Sequence, residues 1–279
     1  MDLIVFDLDG TLLDSSASIS AYTRETLELL GQRGIAYTVA TGRTLHATRD
    51  LISGHGFELP QIYKNGVVIW NPQSMGYTHR HLVTQDEVKH VLGAFIAEQV
   101  TPFIFTLEPG ERHAVYHPAL QNDVERNLVR VFKQERGLPV LPVSELPGEA
   151  EITNVSAIGK REAIERVVAL VESEPNLVAY MGLAMEDRNL CWVDIHHSDG
   201  SKGDAVSTLK SELNVSRVIC FGDSDNDLSM FACADEAYAP ENAKEQVKAA
   251  ATAIIGHHDE EGIARFLRQR FDLPAESNG

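Results

Sequence analysis

Four consecutive apolar residues, Leu3-Ile4-Val5-Phe6, run straight into Asp7-Leu8-Asp9-Gly10. An apolar run this short has no polar side to turn to water, so it fits a strand covered on both faces rather than an amphipathic helix. Strands of that kind belong to parallel sheets flanked by helices, which points the chain to an α/β fold from its opening residues. The next segments agree. Ile19, Tyr22, Thr26, Leu29 and Leu30 recur at helical spacing, and the run closes at Arg33-Gly34, a basic last turn followed by the residue that usually ends a helix. Ile35 to Ala40 reads as a second strand ending at Thr41-Gly42-Arg43, followed by another helix and a short strand at Gln61-Ile62-Tyr63. Strand and helix alternate, as in a βαβ unit.

The rhythm changes at about residue 83. Thr84-Gln85-Asp86-Glu87 carries a capping-box signature, opening a helix with Val88, Val91, Leu92, Phe95 and Ile96 on one side. Strand-like runs at Phe103 to Leu107, Ala114 to His117, Ile152 to Ile158, Leu177 to Met181 and Cys191 to Ile195 then surround helical runs at 119–135 and 160–173. Turn signals at Glu108-Pro109-Gly110 and Asp187-Arg188-Asn189 suggest hairpins, hence a largely antiparallel sheet with helices on one face. The alternating pattern returns after His196-His197-Ser198-Asp199-Gly200, with a helix from Lys202 to Leu213 and a strand from Arg217 to Phe221 ending at Gly222-Asp223. The expected organisation is a doubly wound parallel-sheet core, residues 1–82 and 195–279, interrupted by an inserted α+β domain at 83–194. Pro274 to Gly279 reads as a frayed tail.

Charge and cysteine usage narrow the function classes. A formal charge of -17, from 41 acidic against 24 basic residues, repels a phosphate backbone over most of the surface and argues against a nucleic-acid binder. Three cysteines, Cys191, Cys220 and Cys233, without C-x-x-C spacing suggest neither a disulfide framework nor a zinc site. Cys220 and Cys233 read as small core residues. The acidic N-terminus does not resemble a signal peptide and no apolar run has membrane-spanning length, so a cytoplasmic protein without membrane partners is expected. Oligomeric state is not legible.

The polar residues of interest fall at strand ends, where open parallel sheets bind ligands. Asp7 and Asp9 follow the first strand, Thr41 the second, and Asp223 and Asp227 the strand ending at Phe221, while Lys202 opens the returning helix. Gathered carboxylates repel one another unless a cation sits among them, and all-oxygen ligation selects a hard ion such as Mg²⁺. With phosphate at such a site one carboxylate can attack phosphorus, and a second can protonate the leaving oxygen and later deprotonate water. Spacing favours Asp7 as the nucleophile and Asp9 as the acid/base, with Thr41 and Lys202 set to hold phosphoryl oxygens.

Asp7-Leu8-Asp9-Gly10-Thr11, Thr41-Gly42-Arg43, Ser201-Lys202-Gly203 and Gly222-Asp223-Ser224-Asp225-Asn226-Asp227 resemble, in order and spacing, the four motifs of haloacid-dehalogenase-superfamily phosphatases. The insertion between the second and third motifs resembles the type IIB cap of the Cof-type branch. The resemblance implies a Mg²⁺-dependent phosphatase of small phosphorylated metabolites, such as sugar phosphates, nucleotides or phosphorylated cofactors. It implies metal ligation by Asp7, by Asp9 through its backbone carbonyl, by Asp223, and by Asp227 through water. Thr41, Gly42, Lys202 and Asn226 then hold phosphate, and Asn65 faces it. Asn65-Gly66 also reads as a type I′ hairpin turn, and Arg43 as either a substrate contact or an ion-pair partner at a helix start. His79, His81, His196-His197 and His257-His258 lack zinc spacing and read as solvated, and Phe103-Ile104-Phe105 as packing of the inserted sheet. Two rivals remain: a phosphotransferase or phosphomutase using the same aspartyl-phosphate, and a signalling module that only accepts phosphate. Asp9 and the domain-sized insertion argue against the second.

Overall fold

A computed structural model describes residues 2–110, 112–184 and 189–274. It divides into two compact units, Met1–His79 with Gly200–Gly279, and Arg80–Asp199. The first begins with β1 (Asp2–Phe6), whose residues from Leu3 onward are buried as the apolar run requires. Ser20 caps α1 (Ala21–Gln32) by accepting from Thr23 N at 3.0 Å, and Gly34, at φ 68°, ends it. β2 (Ala36–Val39) and α2 (Leu45–Ile52) follow. β3 (Gln61–Tyr63) breaks the expected rhythm, because it pairs antiparallel with β4 (Val68–Asn71). With β5 (Gly76–Arg80) these strands form their own small sheet, and a single bridge between Ala40 and Ile62 links it to the end of β2. The cause is the turn after Tyr63. The expected Asn65-Gly66 turn is there: both central residues have positive φ, 59° and 106°, and Val67 N donates to Lys64 O at 3.1 Å, while Lys64 just before them is left-handed as well (φ 51°), so the chain reverses at once.

The second unit opens with α3 (Gln85–Ala97), and the capping box is present: Thr84 N donates to Glu87 Oε2 at 2.7 Å, and Glu87 N to Thr84 Oγ1 at 3.4 Å. β6 (Phe103–Glu108), β7 (Arg112–His117), α4 (Asp123–Arg130), β8 (Val140–Pro142), β9 (Glu151–Lys160), α5 (Arg161–Val171), β10 (Leu177–Leu183) and β11 (Leu190–His197) complete it. Their sheet runs β10-β11-β9-β6-β7-β8, antiparallel except for β7 with β8. Helices cover both faces, not one. Ile104, Val155 and Val193 pack with α3 and α5, whereas Phe103 and Phe105, pointing the other way, pack with Phe132 just beyond α4. β11 pairs with β9 as far as Ile195 and with β10 as far as His197, which is why the unit extends past residue 194. His196 on that strand is fully buried beside the Tyr180 ring, contrary to a solvated reading. Of the second expected turn, Asp187 and Arg188 lie outside the described residues, as do the last five of the tail.

The chain then supplies α6 (Lys202–Glu212), β12 (Arg217–Phe221), α7 (Leu228–Cys233), β13 (Glu236–Pro240), α8 (Glu245–Ala250), β14 (Ala253–Ile255) and α9 (Gly262–Arg270). The core sheet has the order β14-β13-β12-β1-β2 and is parallel throughout. Alternate residues of β1 serve opposite layers: Ile4 and Phe6 pack with Leu27 of α1 and Leu267 of α9, while Leu3 and Val5 pack with Leu209 of α6, Met230 of α7 and Val247 of α8. Cys220 lies in the second layer. Chain direction across the sheet reverses between β1 and β12, and the crevice beyond their carboxyl ends is where such sheets bind ligands. Among the described residues no helix is long and apolar enough to cross a membrane.

Candidate active site

At that crevice the ends of β1 and β12 lie side by side, since Asp7 N continues the ladder by donating to Phe221 O at 2.9 Å. Lys202, the first residue of α6, comes in from the flank with its side chain 0% exposed. Its Nζ donates to Asp7 Oδ1 at 2.7 Å and to Asp227 Oδ1 at 2.6 Å. Burial opposes the ammonium, but Asp227 and Asp7 outweigh it, and the Lys202 pKa stands above its ordinary value. Asp227 is fixed a second time, its Oδ2 accepting from the backbone N–H groups of Asp223 and Ser224, both at 2.9 Å.

Asp7, Asp223 and Asp227 can each direct an oxygen to a common point, with those atoms within 4.8 Å of one another. Burial lifts the Asp7 carboxyl well above the usual range; Lys202 pulls it back, and Asp227 and Asp223 push it up again. Asp223 is likewise raised, by burial first and then by Asp227, against a hydrogen bond from Thr11 Oγ1 at 3.2 Å. When all three are ionised, one ammonium leaves two negative charges unbalanced, which a divalent cation would neutralise. The donors are carboxylate oxygens only, so the residues fit Mg²⁺.

Asp9 stands apart from this cluster. It lies on the irregular turn Leu8–Leu12 with its side chain 56% exposed, and Arg43 grips both its oxygens, Nε to Oδ2 at 2.7 Å and Nη2 to Oδ1 at 2.5 Å. Of the two readings of Arg43, the ion pair is present, with Asp9 as its partner. Asp9's carboxylate is therefore no member of the triad, and any metal contact from this residue falls to its backbone carbonyl. Gly10 permits the turn, at φ 72°, and an added Cβ there would lie 2.7 Å from Asp223 Oδ2.

The second loop meets the first through the hairpin after β3. Thr41 N donates to Ile62 O, Asn65 N to Thr41 O and Lys64 N to Arg43 O, each at 3.0 Å. Buried Thr41 accepts from Arg43 N through its Oγ1 at 3.2 Å, leaving its own hydroxyl proton to donate. Gly42 lies against the Asn65 amide, and Asn65 Oδ1 accepts from Asn226 Nδ2 at 2.8 Å. Asn226 Oδ1 is buried without a hydrogen-bond partner. Thus Asp7, Thr41, Gly42, Asn65, Lys202, Asp223, Asn226 and Asp227 form one connected set, with Asp9 and Arg43 as a pair at its exposed side.

Three contributors were given no role by the sequence reading. Thr11 orients Asp223, Gly203 lets α6 approach α7, and Asn242 donates to Gly10 O at 2.7 Å. Thr11 and Gly203 stand inside the first and third motifs without a role assigned there, and Asn242 is a polar residue just beyond the carboxyl end of a core strand. At Gly203 an added Cβ would sit 2.4 Å from the Ser229 carbonyl oxygen, which belongs to backbone and cannot swing away. Gly203→Ala is expected to destabilise the protein by about 1–3 kcal/mol through overpacking and, by shifting Lys202, to lower turnover as well. Thermal melts read beside initial rates check both effects.

The chain matches the model of the haloacid dehalogenase-like hydrolases over residues 4–267. It is 27% identical to the 5-amino-6-(5-phospho-D-ribitylamino)uracil phosphatase YwtE of Bacillus subtilis, over 96% of this chain and 98% of that protein. A haloacid dehalogenase-like hydrolase from B. subtilis superposes with a TM-score of 0.78 at 25% identity, covering 96% of this chain and 99% of the other. The subclass IIB sugar phosphatase BT4131 shares the fold, with a TM-score of 0.77 at 20% identity over 98% and 100% of the two chains. With its α/β core, its inserted α+β unit and this span of similarity, the chain belongs to the haloacid dehalogenase-like hydrolase family.

Proposed function

We propose that the Asp7 carboxylate attacks the phosphorus of a small phosphate monoester, with Asp9 as proton donor and acceptor, and that the Arg80–Asp199 unit selects the substrate as a cap. The enzyme class is that of a phosphoric monoester hydrolase, following from the family and its phosphatase members. The observation that carries the residue assignment is Lys202, buried between Asp7 and Asp227 with Asp223 completing the carboxylate cluster.

Lys202 engages Asp7 Oδ1, so Oδ2 makes the bond to phosphorus as the ester P–O bond breaks. Asp9 gives a proton to the departing alkoxide oxygen. In the second half it takes a proton from water, which attacks phosphorus, frees Asp7 and releases inorganic phosphate. Thr41, Gly42, Asn65, Asn226 and Lys202 hold phosphoryl oxygens, and Arg43, once exchanged from Asp9, is available to an anionic substrate. Mg²⁺ held by Asp7, Asp223, Asp227 and the Asp9 carbonyl supplies charge neutralisation for the phosphoryl group.

Sugar phosphates, nucleotides and phosphorylated cofactors are the substrate classes to compare. Release of inorganic phosphate from p-nitrophenyl phosphate should vanish on chelation and return on adding Mg²⁺. A rate indifferent to chelation contradicts the metal assignment, and isomerised hexose phosphate without phosphate release contradicts hydrolysis.

A further inference from the structure

The turn that carries Asp9 is held from behind by the chain that follows β13. Asn242 Nδ2 donates to the Gly10 carbonyl at 2.7 Å, and Asn242 Oδ1 accepts from His258 N at 3.2 Å, so the amide is fixed at both ends. His258 itself meets the same turn, its Nδ1 lying 2.8 Å from Leu13 O, while Ser15 N donates to Asp259 Oδ1 at 2.7 Å. Two residues beyond Asn242, Lys244 N donates to Asp223 O at 3.0 Å. One short segment therefore ties the Asp9 turn to the Asp223 loop.

We propose that Asn242 is a positioning residue, which sets the aim of Asp9 as general acid by clamping the carbonyl of Gly10, the residue that follows it. The proposal rests on the reading that Asp7 and Asp9 carry the phosphoryl transfer. The physical need is clear from the turn: Gly10 has the widest backbone freedom of any residue type, and the Asp9 side chain is exposed, so once Arg43 has left its oxygens packing alone does not fix its direction. Proton donation depends steeply on geometry. Loosening the Gly10 carbonyl should thus damage proton transfer more than attack by Asp7, which is anchored independently by β1 and Lys202.

The leaving group separates these effects. A nitrophenolate departs with little need of a proton, whereas an alkoxide requires one. kcat/KM, which reports only steps through formation of the phosphoryl-enzyme, is to be compared for p-nitrophenyl phosphate and glycerol 2-phosphate in wild type, Asn242→Ala and Asn242→Asp. The expected result is a loss below about threefold on the aryl ester and above about thirtyfold on the alkyl ester, the range that a misplaced general acid commands. The aspartate variant keeps the acceptor for His258 N but sets an oxygen against Gly10 O, so it should show the same split even if the alanine variant folds poorly. Equal losses on both esters, or none on either, overturn the proposal. Asp7→Asn serves as the control: if it turns over normally the underlying reading fails, whatever the Asn242 variants do.

Discussion

Asp7→Asn should lose at least about a thousandfold in Mg²⁺-dependent turnover, the scale seen when a covalent nucleophile is removed. The change should leave the fold intact, which makes the loss informative. An asparagine fills the same space, and its amide oxygen can still accept from Lys202, now 2.7 Å from Asp7 Oδ1. It also removes one of three clustered carboxylates, two of which, Asp7 and Asp227, share a single buried ammonium. The metal-free variant is therefore expected to melt at the same temperature as wild type or higher, the usual trade of stability against activity at a charged site. A variant that melts normally and retains near-normal rates removes Asp7 from the mechanism.

Lys202→Met carries the second large effect, and it falls on stability as well as rate. Methionine occupies most of the lysine's volume but leaves Asp7 and Asp227 without their cation in a buried setting. Breaking such a pair costs about 3–5 kcal/mol. The penalty should depend on pH in a definite sense. Burial already raises the Asp7 pKa, with Lys202 restraining the rise, so loss of the ammonium raises it further. The folded chain then holds that proton more tightly than the unfolded chain, and stability falls as pH climbs from the ordinary aspartate range toward the raised value. Denaturant melts should accordingly show the smallest deficit in acid and a growing one toward neutrality, while Mg²⁺ recovers part of it by binding the folded state. A deficit that shrinks as pH rises contradicts this placement of the charges.

The core was legible because its strands are buried on both faces. Leu3 to Phe6 and Val218 to Phe221 announce themselves as unbroken apolar runs, and Asp7 and Asp223 are found just past where those runs stop. Lys202 could be placed because Ser201 caps the helix that it opens, accepting from Asp204 N at 3.1 Å. What the sequence could not show was pairing decided at a distance. The pattern of Gln61-Ile62-Tyr63 suits either a parallel or an antiparallel neighbour, and although Asn65-Gly66 marked a turn, left-handed Lys64, a residue type that seldom adopts that conformation, gave no warning that the bend begins one residue earlier. In the inserted unit, the alternation of Phe103, Ile104 and Phe105 without a polar member was the sign that both sheet faces are covered, yet it also suits a one-sided sheet with an aromatic edge. The Arg43–Asp9 pair and the Asn242 clamp join residues 34 and 232 positions apart, which no local spacing reveals.

The measurement that bears most directly on Asp7 is capture of the covalent intermediate. The protein is mixed with a phosphate ester and Mg²⁺, quenched in acid within the first turnover, digested and examined by mass spectrometry. One phosphoryl group on the peptide containing Asp7, absent from Asp7→Asn, is the expected result; full phosphate release with an unmodified Asp7 at every quench time would contradict it.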